Sequence, residues 1–255
     1  MKKHIVLAVL VAIGITFAQE QKAISLGIRA GLNLNSAKLI EGGKNETNLP
    51  SILDNHIGFH AGVIADIAIN QFLYFQPGVM FSTKGGIISS EYEYEDSYND
   101  PSGGSSYHYE YEKETFTTNV YCIELPIMLS LKAPLTEDLF LRANVGPYFD
   151  FGISGTLKHE YEYEYEYEYH SGTYNDNDND SDKGSDSEDI YPKKKDRWIN
   201  GKSLNVGIGV GGGFEFNSFY LGVNYYYGLT NVLDAKEDYY EAYDRTLSIT
   251  LGYNF

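Results

Sequence analysis

From Arg245 to Phe255 every second residue is apolar. Leu247, Ile249, Leu251, Tyr253 and Phe255 fall on one face, and Thr246, Ser248, Thr250, Gly252 and Asn254 on the other. Strict alternation marks a β-strand whose two faces meet different environments. The preceding segment repeats it, with Phe219, Leu221, Val223, Tyr225, Tyr227 and Leu229 opposing Tyr220, Gly222, Asn224, Tyr226 and Gly228. Six further segments start near Ile24, Ile57, Leu73, Tyr121, Leu139 and Leu204. All eight are near or above the ~9–11 residues that a tilted strand needs to cross a bilayer.

A soluble sandwich also alternates, so two further features decide. A solvated face would be dense in Lys and Glu. Here the polar face is rich in Gly, Asn, Ser and Tyr, with isolated charges at Arg29, Asp66, Glu124, Lys132, Arg142, Asp150 and Glu215. That suits the packed polar lumen of a small barrel, with the apolar face toward lipid. The connections also alternate in length. Asn70-Gln71, residues 133–138 and Asn217-Ser218 are short; residues 36–56, 83–119, 155–202 and 230–244 are long. Short periplasmic turns and long outer loops characterise bacterial outer-membrane barrels. The pattern predicts an all-β, eight-stranded antiparallel up-and-down transmembrane barrel. Phe75, Phe81, Phe219, Tyr227, Tyr253 and Phe255 would form its aromatic girdles; Pro77, Pro126 and Pro147 each remove a ladder donor, which bulges could accommodate.

Residues 1–18 read as a signal peptide: Lys2 and Lys3, an apolar run from Ile5 to Phe17, then Thr16-Phe17-Ala18 before Gln19. That leaves residues 19–255 as the barrel domain. Cys122, the one cysteine, excludes an internal disulfide and is expected as a small inward-facing residue. The net charge of −17 is concentrated. Residues 91–114 carry −7 and residues 160–189 carry −11, so the rest of the chain is +1. Such acidity argues against nucleic acid as a partner, since phosphate binding needs Lys and Arg.

The opening Leu26-Gly27-Ile28-Arg29-Ala30-Gly31-Leu32-Asn33, the strand Tyr121-Cys122-Ile123-Glu124-Leu125-Pro126-Ile127 and the terminal Phe255 resemble the PorT-like outer-membrane β-barrel family. The resemblance spans about residues 24–255 apart from the acidic inserts. It implies a small eight-stranded barrel, and through the family's namesake a link to protein secretion.

The inserts, at about 88–116 and 156–200, lie outside that resemblance. Residues 160–169 read EYEYEYEYEY, 91–95 read EYEYE and 107–112 read YHYEYE. A period of two puts tyrosine on one face of an extended strand and carboxylate on the other. These tracts are therefore expected to continue the barrel as a protruding hairpin, turning at residues 99–104. Residues 175–189, NDNDNDSDKGSDSED, are expected to be disordered. Asp178, Asp180 and Asp182 are spaced like the start of an EF-hand loop, a weak site for a divalent cation such as calcium. Gly184 comes one place late, however, and position twelve is Asp189.

Gly207-x-Gly209-x-x-Gly212 matches a dinucleotide fingerprint in letters only, because the glycines fall inside a strand. They are read instead as room for Tyr148 and Tyr226. His60 is the one histidine on a strand and has no activated serine nearby. Arg29, Asp66, Glu124, Arg142, Asp150 and Glu215 are expected to form a lumen network that plugs the barrel, because eight strands leave an interior just filled by side chains. No catalytic residues and no cofactor are assigned. The expected protein is a monomeric, non-enzymatic barrel of the bacterial outer membrane. It would contact outer-membrane lipid and bind a surface polymer or protein through its acidic loops. A structural or secretion-accessory barrel is the alternative, and a lipid-modifying barrel enzyme a further one.

Overall fold

Alternation of this kind can bury a polar face only if the sheet closes on itself, and it does. The computed structural model describes residues 24–41, 56–100, 103–171, 173–191, 199–235 and 240–255. The expected signal peptide lies outside them. The strands are β1 (Ile24–Glu41), β2 (His56–Ala68), β3 (Leu73–Asn99), β4 (Gly104–Pro134), β5 (Leu139–Ser171), β6 (Tyr174–Asp189), β7 (Ile199–Gly201), β8 (Leu204–Phe216), β9 (Phe219–Gly228), β10 (Leu233–Ala235) and β11 (Tyr240–Asn254). Hydrogen-bonded neighbours run β4-β3-β2-β1-β11-β9-β8-β5, and a β4–β5 pairing closes the ring of eight. β7 and β10 form a separate two-stranded sheet.

The shear can be followed residue by residue. Ile24 pairs with Ile67, Ile67 with Phe75, Phe75 with Leu129 and Leu129 with Val145. Val145 then pairs with Val210, Val210 with Tyr225, Tyr225 with Leu247 and Leu247 with Leu34. The circuit returns to β1 ten residues beyond its start, from Ile24 to Leu34. With the usual rise and strand spacing, that shear tilts the strands by about 40° and sets a backbone radius of about 8 Å. The same ten-residue step along a tilted strand spans about 25 Å of height, the thickness of an outer-membrane apolar band.

The faces fall as the alternation requires. Leu26, Val63, Leu129, Val210, Leu221 and Leu251 are exposed on the outside, whereas Arg29, Asp66, Glu124, Arg142, Asp150 and Glu215 are buried inside. Cys122 is inside and buried, its Sγ donating to the Ser82 carbonyl. Ile64, Met80 and Met128 are apolar lumen residues among the polar ones. At the first short turn the Asn70 side chain accepts from the Phe72 and Leu73 amides, both at 2.9 Å. Asn217 opens the last, with a φ of 51° that asparagine tolerates better than most residues.

Two expectations need correction. The prolines cause no register slip: pairings on either side of Pro77, Pro126 and Pro147 stay in phase. Among the described residues the register shifts at Tyr121/Cys122, where Tyr121 pairs with Ser154 and Cys122 with Gly152, leaving Ile153 as the extra residue of a β-bulge. Residues 175–189, expected to be disordered, form most of β6 and pair with β5 from Thr156 to His170. A purely polar tract shows no apolar period, but β5 supplies the hydrogen-bonding edge on which it folds back.

Candidate functional site

Two regions concentrate the polar chemistry. The first is the lumen. Arg142 grips both oxygens of Asp66, at 2.6 and 3.2 Å, while its Nε donates to Glu215 at 2.6 Å. Lys132 also reaches Glu215, at 2.6 Å, and Gln76 donates to Asp66. Arg29 lies over the Tyr220 ring and donates to Asn254, which in turn donates to Glu215. Toward the outer rim, Lys84 Nζ sits 3.2 Å from Glu124 and forms a shorter ion pair with Asp150. His60 is held between Asn33 at 2.8 Å and Thr250 at 3.1 Å.

All six residues expected to form the network are thus inside the barrel. They divide into a lower cluster of Arg29, Asp66, Arg142 and Glu215 and an upper one of Glu124 and Asp150. Lys84 was missed, because it opens the stretch that reads as a loop. It adds a fourth basic charge to the three basic and four acidic ones read from the sequence. Burying any of these charges without a partner would cost several kcal/mol. The Cβ of a larger residue at Gly207 would sit 2.4 Å from Tyr148 Cε1, and at Gly209 it would press on Met128 and the Tyr226 ring, so both glycines make the room expected of them. An internal space of about 50 Å³ remains, lined by residues including Arg29, His60, Glu124 and Tyr226. That volume suits a water or two.

The second region is a four-stranded sheet, β3-β4-β5-β6, that continues beyond the barrel rim. Its first hairpin turns through Asp100 and Gly103, whose φ of 101° requires glycine. Side chains that pair directly share a face. One row therefore reads Tyr94, Glu110, Tyr165, Asp180, and the next, on the opposite face, Glu93, Tyr111, Glu164, Ser181. Each strand does separate tyrosine from carboxylate. Because neighbouring strands are out of phase, though, both faces of the sheet carry alternating columns of tyrosine and acid.

The Ile153 bulge sets this phase between β4 and β5. An unbulged ladder would continue the lower register and place Glu110 opposite Glu164, Glu112 opposite Glu162 and Glu114 opposite Glu160. The one-residue shift places those three glutamates opposite Tyr165, Tyr163 and Tyr161 instead. In the β3–β4, β4–β5 and β5–β6 pairings over the two inserts, no carboxylate stands directly opposite another.

Tyrosine hydroxyls and cations stitch the columns. Tyr111 donates to Glu91 and Tyr161 to Asp182, both at 3.3 Å, and Lys183 reaches Glu162 at 3.0 Å. His159 stacks on Phe116 with ring centroids 4.4 Å apart. Tyr107, Tyr109, Tyr111 and Tyr163 hold their phenolic protons above the usual range, through partial desolvation and then through the neighbouring carboxylates. At Tyr161 the Asp182 charge is the first cause.

Asp178, Asp180 and Asp182 lie on one face of β6, opposite Tyr167, Tyr165 and Tyr163. Successive side chains on one face of a strand are about 7 Å apart. The three are therefore laid out in a line and do not curl around a single ion as in an EF-hand loop. Among the described residues no group of three or more His, Cys, Asp or Glu gathers into a metal site.

Among the described residues no helix is long and apolar enough to cross a membrane. The chain matches the model of the outer membrane protein beta-barrel domain over residues 17–234. It belongs to that family, and its place is the bacterial outer membrane. No curated protein matches it. Among solved structures it is similar to the attachment invasion locus protein Ail of Yersinia pestis, at 15% identity, 92% coverage of this chain, 100% of that one and a TM-score of 0.29. Ail has also been solved with the heparin analogue sucrose octasulfate, where the TM-score is 0.27, identity 14% and coverage again 92% and 100%. The translocator domain of the autotransporter NalP from Neisseria meningitidis gives 11% identity, 100% and 96% coverage and a TM-score of 0.26. Likenesses this remote add no weight to the functional reading.

Proposed function

We propose that this is a non-enzymatic outer-membrane protein in which the barrel is an anchor and the protruding sheet a binding or adhesion surface for an external polymer or protein. The observation that carries this is the register of the inserts. A merely solvated acidic loop would have no reason to keep its carboxylates opposite residues that are not acids through three successive ladders. Tyrosine offers broad amphipathic contact area, and the interleaved carboxylates add charge selectivity. The acidic columns would hold divalent cations such as calcium only loosely, carboxylate by carboxylate, and the reading needs no cofactor.

The test removes residues 90–115 and 158–196, each replaced by a short turn, and compares adherence of cells carrying the two forms. The barrel should still assemble, and adherence should fall to that of cells without the protein. Undiminished adherence together with a retained cellular phenotype would overturn the proposal. It would favour the accessory role that the PorT-like resemblance implies, in which the lumen and periplasmic turns matter. A changed lipid profile in His60→Ala would instead point to an enzyme.

A further inference from the structure

The protruding sheet ends in two open edges. Beyond Ser82, β3 pairs only with β4, and β6 pairs only with β5, among the described residues. Open edges are templates for another strand and usually need protection. These two have complementary directions. β3 runs away from the barrel and β6 runs back toward it, so in two upright copies in one membrane the β6 of one is antiparallel to the β3 of the next.

Their side chains match as well. Residues 179–183 of β6, Asn-Asp-Ser-Asp-Lys, already pair with Glu162 to Glu166 of β5, the pentapeptide EYEYE. The same pentapeptide, Glu91 to Glu95, occupies the open edge of β3 in the same direction. Its tyrosines share a face with the β5 tyrosines, because both lie in rows with the same β4 glutamates. We infer that β6 of one copy accepts β3 of a neighbouring copy, repeating on its outer edge the pairing it already makes with β5 on its inner edge.

In the equivalent register Glu91 meets Lys183, Tyr92 meets Asp182 and Tyr94 meets Asp180. The next row out brings Asp96 against Asp178, its one carboxylate pair. Sliding by two residues keeps the phase, because Asp alternates from 176 to 182. The joint is head-to-tail, so it leaves one open edge at each end and extends into a lateral array of barrels. It does not depend on what the faces of the sheet bind.

Disulfide trapping tests this cleanly. Glu93 and Ser181 lie in one row, three ladders and so about 14 Å apart within a chain. A disulfide needs Cα atoms within about 7 Å, so any bond between these positions joins two chains. In a Cys122→Ser background, Glu93→Cys and Ser181→Cys forms with different tags are co-expressed and oxidised in the intact outer membrane. The expected product is the mixed dimer, at least several-fold above either homodimer. It should also exceed the mixed dimer between Tyr111→Cys and Ser181→Cys, a collision control from the same row. A chain carrying both cysteines at 93 and 181 should give a ladder of multimers. No mixed dimer, as a foreign strand covering either edge would give, or a yield no greater than the control, overturns the inference.

Discussion

Tyr165 stands in the row Tyr94, Glu110, Tyr165, Asp180, between two carboxylates. Tyr165→Glu would set three acids side by side on one face, whereas Tyr165→Gln removes the ring without adding charge. The difference between the two variants isolates the two new like-charge pairs. At roughly 0.2–1 kcal/mol for each directly opposed pair, the glutamate form should open more easily than the glutamine form by about 0.4–2 kcal/mol. Cleavage by a glutamate-specific protease within residues 160–168 reports that opening when reclosing is fast. The glutamate form should be cut roughly 2- to 30-fold faster than the glutamine form. Adding Glu110→Gln and Asp180→Asn should remove most of the gap. Equal cleavage of the two variants, or a gap that survives this neutralisation, would refute the claim that register is set by keeping carboxylates apart.

Other consequences follow from the same geometry. Deleting Ile153 removes the extra residue while leaving Glu110 opposite Tyr165, so glutamate-specific cleavage within 160–168 should stay within about twofold of the parent, given unchanged pairing energies. Arg142→Met strips the partner from Asp66 and Glu215 and should lower barrel stability by about 3–5 kcal/mol in urea unfolding from detergent. Gly207→Val drives a side chain into Tyr148 and should cost about 1–3 kcal/mol, partly relieved by Tyr148→Ala. The raised phenols of the sheet give a signed pH dependence. Their stabilisation is complete below the ordinary phenol range near ~10 and is lost as pH rises through the raised values, which ultraviolet titration should show as late ionisation.

How much of this was legible in the sequence follows from what each feature rests on. Alternation is local, so the eight barrel strands, the inward Cys122 and the lumen network could all be read from single segments. The Tyr-Glu tracts carry the same period and read as strands for the same reason. β6 did not, because Asp, Asn and Ser give no apolar rhythm and its order comes from the edge of β5, on which it folds back as a hairpin. Lys84 is invisible for a related reason: its partners Glu124 and Asp150 lie on β4 and β5, and it begins what looks like a loop. The bulge at Ile153 could not be placed either. The residues around it are an ordinary strand, and only the pairing of two distant Glu-Tyr tracts shows why Ile153 is left out of the ladder.

Amide hydrogen exchange on the whole protein in detergent or native membrane tests the central claim most directly. If the inserts form an ordered sheet on a closed barrel, amides in residues 107–114 and 160–169, bonded on both sides, should be protected nearly as well as the barrel strands. In single barrels dispersed in detergent, those of the edge strands at 91–98 and 175–189 should exchange faster. Exchange at free-chain rates throughout 107–114 and 160–169 would contradict the account.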